Sequence, residues 1–243
     1  MIEVRNLNKS FGSNAVLKGV SFEIEKGESL VIIGRSGGGK SVLLKHLIGL
    51  LKPESGQVLI DGEDITVMNE RELLRVRHRF GMVFQGAALF DSMNVAENVG
   101  FAFRRDHRLT EKEIARKVSE SLEMVELPGI EHKNPAELSG GMRKRVGLAR
   151  AIVYEPEIVL YDEPTTGLDP IVSDSIDKLM LRVRDRLHVT TVVVTHDMRT
   201  AHRLGQRILM LHNKTIHATG TPEEIFGSQD PVVKQFIDGV ADD

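Results

Sequence analysis

Short apolar runs alternate along this chain with stretches of helical spacing. Ser29–Ile33 is almost continuously apolar, as expected of a strand buried on both faces of a parallel sheet. Phe80–Phe84, Glu157–Tyr161 and Thr190–Thr195 repeat that pattern, while Ile2–Asn6 and Gln57–Ile60 read as further strands, the latter leading into an Asp61-Gly62 turn. Between the runs the period changes. Ser41–Leu51 predicts a helix stopped by Lys52-Pro53, and Glu70–Arg79 predicts a strongly basic one. Val172, Ile176, Leu179, Val183 and Leu187 fall at three- and four-residue spacings, the apolar stripe of a helix lying on a sheet. Asp169-Pro170 supplies that helix with an N-cap followed by proline at its first position, and Thr221-Pro222-Glu223-Glu224 caps another.

From Gly86 to Tyr154 the strand signals stop and helical ones dominate. Thr110 with Glu113 makes a capping box in front of a helix running toward Met124, Pro128-Gly129 closes that region, and a further helix starts at Ser139. This block reads as a helical insert, residues 86–155, in an α/β core formed by residues 1–85 and 156–243. The core is expected to hold a mainly parallel sheet covered on both sides.

Composition narrows the classes. A 41% hydrophobic share of 243 residues is enough to bury a large core, as one domain or two closely packed ones. Net charge of −3 gives no reason to expect a nucleic-acid partner. The chain has no cysteine, which excludes disulfides and thiolate chemistry. No run approaches the roughly 20 apolar residues that span a bilayer. The longest candidate, Val42–Leu51, is interrupted by Lys45, His46 and Gly49, and no basic-then-apolar leader precedes Ile2–Asn6. Any membrane role is therefore expected to go through a partner.

Three stretches carry chemistry. Residues 34–41 read Gly-Arg-Ser-Gly-Gly-Gly-Lys-Ser, between a strand and a helix. Gly34, Gly39, Lys40 and Ser41 fit the phosphate-binding loop in full. Glycines let consecutive amides point inward at phosphates, the helix start adds partial positive charge, Lys40 would reach the β- and γ-phosphates of ATP, and the Ser41 hydroxyl would hold Mg²⁺. A second stretch, Ile158–Glu163, is an apolar strand ending in two carboxylates. Asp162 suits Mg²⁺, a hard cation, and Glu163 is placed to polarise a water in line with the γ-phosphate, although a solvated acidic turn has the same look. The third, Leu138-Ser139-Gly140-Gly141-Met142, opens a helix with a second anion-accepting start. Taken alone, a plain N-cap with a glycine hinge explains it better.

With these motifs the chain, from Ile2 to about Gly239, resembles ATPase subunits of ABC transporters. The resemblance implies a RecA-like P-loop NTPase core, an antiparallel β subdomain and an α-helical subdomain. It assigns Gly34, Arg35, Ser36, Gly37, Gly38, Gly39, Lys40, Ser41 and Val42 to nucleotide binding. Ser139, Gly140 and Gly141 become the signature that meets the γ-phosphate of the opposite subunit's ATP, with Met142 where the family usually has Gln. Gln85 becomes the switch that senses Mg²⁺ and the attacking water, His196 the switch histidine near the γ-phosphate, and Asp169 a link between the two nucleotide sites. Phe11 stands where the family places an aromatic on adenine, although a core Phe explains it equally well. The other histidines show no ligand spacing.

Gln85–Val95, with Leu138–Arg145 reading LSGGMRKR and Tyr161–Pro170 reading YDEPTTGLDP, is similar to the Mla-type phospholipid transport ATPases, as is the end, Asp230–Gly239. That subgroup implies a homodimer beneath an integral-membrane permease, on the cytoplasmic face of the inner membrane, working with an MCE-type lipid-binding protein. The same engine serves other importers and lipoprotein-release systems. A non-transport ABC protein would usually carry tandem ATPase domains or a long coiled-coil insert, and a plain P-loop kinase would lack the signature and the helical insert.

Overall fold

A computed structural model describes residues 1–106 and 109–240 of the chain. It divides into two compact units: Met1–His78 together with the chain from Thr190 onward, and Arg79–Val189.

The first unit opens with a hairpin of β1 (Ile2–Phe11) and β2 (Asn14–Ile24), followed by β3 (Ser29–Ile33), α1 (Lys40–Leu47), β4 (Ser55–Ile60), β5 (Glu63–Asp64) and α2 (Glu70–Arg77). Strands β2, β1, β4 and β5 form an antiparallel sheet in that order. The first strand is longer than Ile2–Asn6 because it continues through an irregular stretch. Asn6 adopts a positive φ of 46°, its N–H donates to Ser21 Oγ at 2.7 Å, and the pairing resumes at Leu7 opposite Val20. Helix α1 ends at Leu47, short of the expected Leu51, since Gly49 turns left-handed with φ of 67°. Helix α2 carries a capping box between Asn69 and Glu72, and basic Arg75 and Arg77 in its last turn.

The second unit contains β6 (Phe80–Val83), α3 (Val95–Asp106), α4 (Glu111–Met124), a 3₁₀ turn at Pro135–Glu137, α5 (Gly140–Ile152), β7 (Ile158–Asp162) and α6 (Pro170–Leu187). The Thr110–Glu113 capping box forms as expected. Helix α5 begins at Gly140, directly behind the Ser139 N-cap. Strands β6 and β7 run parallel, with Phe80 opposite Ile158 and Val83 opposite Tyr161. Apolar faces of α3, α4 and α5 pack through buried Val99, Ile114, Val118, Leu122 and Val146. Arg145 pins this cluster to α6, donating to the Val125 carbonyl at 3.1 Å and to Ser175 Oγ at 2.6 Å. In α6 the expected stripe is buried at Ile176, Leu179 and Val183.

The chain then returns to the first unit with β8 (Thr190–Val194), α7 (Met198–Leu204), β9 (Arg207–His212), β10 (Thr215–Gly220), α8 (Pro222–Phe226) and α9 (Pro231–Asp238). Here β3 lies between β8 and β9, parallel to both, and β10 closes the edge antiparallel to β9. Strand β3 is completely buried, which is why its sequence is apolar without alternation.

Behind β3, helix α1 buries His46. Its Nδ1 lies 2.7 Å from the Val42 carbonyl. Burial lowers the pKa of this ring, the charge of Lys9 lowers it further, and the carbonyls of Val42 and Lys52 oppose both. The folded state therefore resists protonation that the unfolded chain accepts, so the stability present above about pH 6.5 declines as pH falls below it. Denaturant unfolding at pH 7.5 and 5.5 should show this loss, and His46→Gln should show a smaller one.

Candidate functional site

In the first unit, β3 delivers the chain into the glycine loop at its C-terminal end. Gly34 has φ of 152°, and a Cβ there would stand 2.4 Å from the Leu211 carbonyl oxygen on neighbouring β9, so no side chain fits. Gly39 caps α1 with φ of 95° and is pressed against the β1–β2 hairpin, where a Cβ would lie 3.0 Å from the Val16 carbonyl. No side chain caps the amides at this helix start. Arg35, Ser36 and Gly37 are exposed, and Ser41 and Val42 stand on the first turn, both half-buried. Lys40 is buried, and its ammonium folds back to donate to the Gly34 carbonyl at 2.7 Å and the Arg35 carbonyl at 3.1 Å.

The hairpin carries Phe11 at the end of β1. Its ring is 51% exposed, which removes the core alternative, and the Lys9 ammonium lies 5.3 Å from its centroid. At the end of β8, buried Thr195 accepts from the Asp197 N–H at 3.0 Å, Asp197 caps α7, and His196 between them is exposed.

In the second unit, the parallel register of β6 and β7 brings their C-terminal ends to one edge. Gln85 follows β6, Asp162 ends β7 and Glu163 begins the turn after it. Both carboxylates are largely buried, at 8% and 9% exposure. Glu163 adopts a left-handed φ of 49° and accepts from the Thr166 hydroxyl at 3.2 Å. Such a backbone is strained in a residue that is not glycine, and strain of this kind collects at functional sites.

The Ser139 turn sits in the same unit. Ser139 Oγ accepts from the Met142 N–H at 3.3 Å, the plain N-cap geometry, so the hydroxyl already has a backbone donor within its own subunit. A Cβ on Gly141 would be 2.8 Å from Val172, and one on Gly140 3.4 Å from Leu168, so the glycine pair packs directly on the segment that holds Asp169. Asp169 caps α6, accepting from the N–H groups of Ile171 and Val172 at 3.0 Å each.

Beyond the glutamine, Asn98 is fully buried and donates to the carbonyls of Phe90, Met93 and Asn94, while its oxygen accepts from the Phe90 N–H at 2.8 Å. This clamp leaves Phe90 43% exposed, with its ring 4.8 Å from that of Phe101. An open groove of about 490 Å³, lined by Ser92, Met93, Glu97, Phe101 and Arg104, lies alongside.

The ABC transporter family model matches residues 17–166. The chain belongs to the ABC transporter family. It is an ATPase subunit, and an ABC fold accounts for the parallel and antiparallel sheets and the helices described above. A Mycobacterium leprae protein named as a probable ribonucleotide transport ATP-binding protein, Mkl, is 45% identical over 98% of this chain and 69% of its own length. The Haemophilus influenzae intermembrane phospholipid transport ATP-binding protein MlaF is 40% identical over the entire chain and 92% of its own length. Among solved structures, the dimeric ATP-binding cassette MJ0796 bound to ADP and phosphate superposes with a TM-score of 0.83 at 33% identity, covering 91% of this chain and 99% of that one.

Two residues of this ABC ATPase were assigned no role from its sequence, although Lys144 lies within Leu138–Arg145. Val16 is distinguished only by its approach to Gly39. Lys144 is buried on α5 and donates to the Gln85 carbonyl, and its one signal is a cation in line with buried Leu148 and Ala151. The geometry of the glycine loop gives a direct test. Gly34→Ala places a methyl group against the Leu211 carbonyl, so ATP affinity should fall by about tenfold or more, of the order of 1.4 kcal/mol, and the melting temperature should fall as well because the backbone of β3 or β9 must shift. Titration with a fluorescent ATP analogue, beside a thermal melt, measures both.

Proposed function

We propose that this chain, as one ABC ATPase domain, powers phospholipid transport. In this reading it is a homodimer on the cytoplasmic face of the inner membrane, beneath an integral-membrane permease that works with an MCE-type lipid-binding protein. The observation carrying this reading is the match to MlaF, which spans this chain and nearly all of that one. Against Mkl the chain spans only about two thirds of the relative's length. A second reading, ribonucleotide transport, draws on the higher identity to Mkl.

In the proposed chemistry the loop Gly34–Val42 cradles the phosphates of ATP, and Phe11 stacks on adenine. Lys40 leaves the carbonyls of Gly34 and Arg35 for the β- and γ-phosphates, exchanging neutral acceptors for anionic ones. Ser41, Gln85 and Asp162 offer hydroxyl, amide and carboxylate oxygens, the hard donor set that suits Mg²⁺. When bound, that ion neutralises charge developing on the phosphates. Glu163 orients the attacking water, and His196 contacts the γ-phosphate. Ser139, Gly140 and Gly141 of one copy meet the ATP held by the other, with Asp169 linking the two sites. The dimeric MJ0796 cassette supports that arrangement.

Because Glu163 is read as a water-orienting base and not as a nucleotide anchor, Glu163→Gln should keep ATP bound and lose at least about 100-fold in turnover. It should migrate as a dimer on size exclusion with ATP and Mg²⁺. Turnover at the unaltered rate would remove Glu163 from the mechanism.

The segment around Phe90 is read as the permease contact. Its exposed ring beside an open groove offers the apolar anchor that a docked helix needs. Phe90→Ala should weaken permease co-purification and phospholipid transport by about tenfold, while ATP binding and the melting temperature stay close to the unaltered values. A melting temperature that falls in step with permease binding would make the residue part of the core. Transport assayed in vesicles with phospholipid and, separately, ribonucleotide distinguishes the two substrate readings.

A further inference from the structure

Helix α5 does more than present Ser139. Its buried face carries Lys144, only 8% exposed, whose ammonium donates to the main-chain carbonyl of Gln85 and lies 3.5 Å from that of Glu163. Two turns on, Arg150 donates to the carbonyls of Ala87 and Ala88, both at 2.7 Å. Ala87, Ala88 and Glu163 all hold positive φ, at 60°, 48° and 49°. Left-handed backbone in three residues with side chains costs energy and persists only where the surroundings enforce it. Donors that hold these turns, Lys144 and Arg150, come from one helix.

A buried ammonium is costly unless it is satisfied. Burial lowers the pKa of Lys144, and the Glu163 carboxylate works against that shift. An apolar side chain would fill the position at no such cost, so burial alone does not explain a lysine here. Its hydrogen bonds go to the main-chain carbonyls of Gln85 and Glu163 and not to their side chains.

We propose that Lys144 is a positioning residue for ATP hydrolysis. Its ammonium is the common fixed point that holds the turn after β6 and the turn after β7 in register, so that Gln85 and Glu163 keep a constant spacing as they handle the attacking water. Because the lysine sits on the helix that Ser139 opens, any displacement of that helix start is passed to both turns together. This inference rests on the roles given above to Gln85 and Glu163.

The test uses the full chain with Lys144→Met, which removes the donor but keeps the length, and Lys144→Arg, which keeps a charged donor. Steady-state ATPase kinetics at saturating Mg-ATP, affinity for a fluorescent ATP analogue and a thermal melt are measured for each. Lys144→Met should lower kcat by about tenfold or more, the scale expected of a misplaced catalytic group, with KM and nucleotide affinity held within about twofold. Lys144→Arg should recover most of that loss. A folded Lys144→Met whose kcat stays within about twofold of the unaltered chain, or whose defect lies wholly in KM, overturns the proposal. So does a folded Lys144→Arg no faster than Lys144→Met. If Lys144→Met melts below the assay temperature, Lys144→Gln takes its place under the same criteria. Glu163→Gln is assayed alongside. If it hydrolyses ATP normally, the reading of the acidic pair has failed. If it is inactive while Lys144→Met is unimpaired, only the positioning role has failed.

Discussion

Much of the first unit depends on one close approach, that of the Leu211 carbonyl to Gly34. Strand β3 is buried on both faces and hydrogen-bonded on both edges, so its position is set by β8 and β9 together. Where it ends, the chain runs so near the β9 backbone that the first carbon of a side chain would stand 2.4 Å from it. Glycine is the residue that can pass there and still turn outward with a positive φ. The loop, the uncapped helix start and the inward fold of Lys40 all follow from that passage.

The second unit is organised around α5. Its first turn packs on the segment bearing Asp169, its middle holds the turns that bear Gln85 and Glu163, and its last turns hold the backbone at Ala87 and Ala88. One helix thus touches each segment of this unit to which a role in hydrolysis is assigned. Arg145 adds a second set of ties, through Val125, Glu126 and Ser175.

Legibility in the sequence followed physical causes. Strands β3, β6, β7 and β8 were readable because a buried parallel strand demands a short, nearly unbroken run of apolar residues. Helices with side-chain caps, such as α4 and α6, start at the residues those caps indicated. Strand β2 was not found, because Lys18 and Gly19 break its alternation and Gly19 takes a positive φ. Strand β10 was missed because its alternation, Thr215-Ile216-His217-Ala218-Thr219, is short and its inward positions are only half-buried. In the candidate site, the glycine loop and the acidic pair announced themselves through local spacing. Lys144 and Val16 did not, since what defines them is contact with backbone far along the chain, and no local pattern encodes that.

The inward fold of Lys40 carries a consequence for ligand discrimination. With its ammonium already held by two carbonyls of its own loop, the charge is solvated by the chain itself and has little need of a counterion. A hydrogen bond to a charged group is worth about 1.5–3 kcal/mol, so any incoming anion must first displace those carbonyls. A lone inorganic anion, with one small cluster of oxygens and a full hydration shell, gains little by doing so. In the proposed chemistry a polyphosphate would engage the loop amides with its leading groups and displace the carbonyls with its last one. Under the nucleotide reading proposed above, the loop would act as a threshold detector, responding to the length of a phosphate chain more than to negative charge.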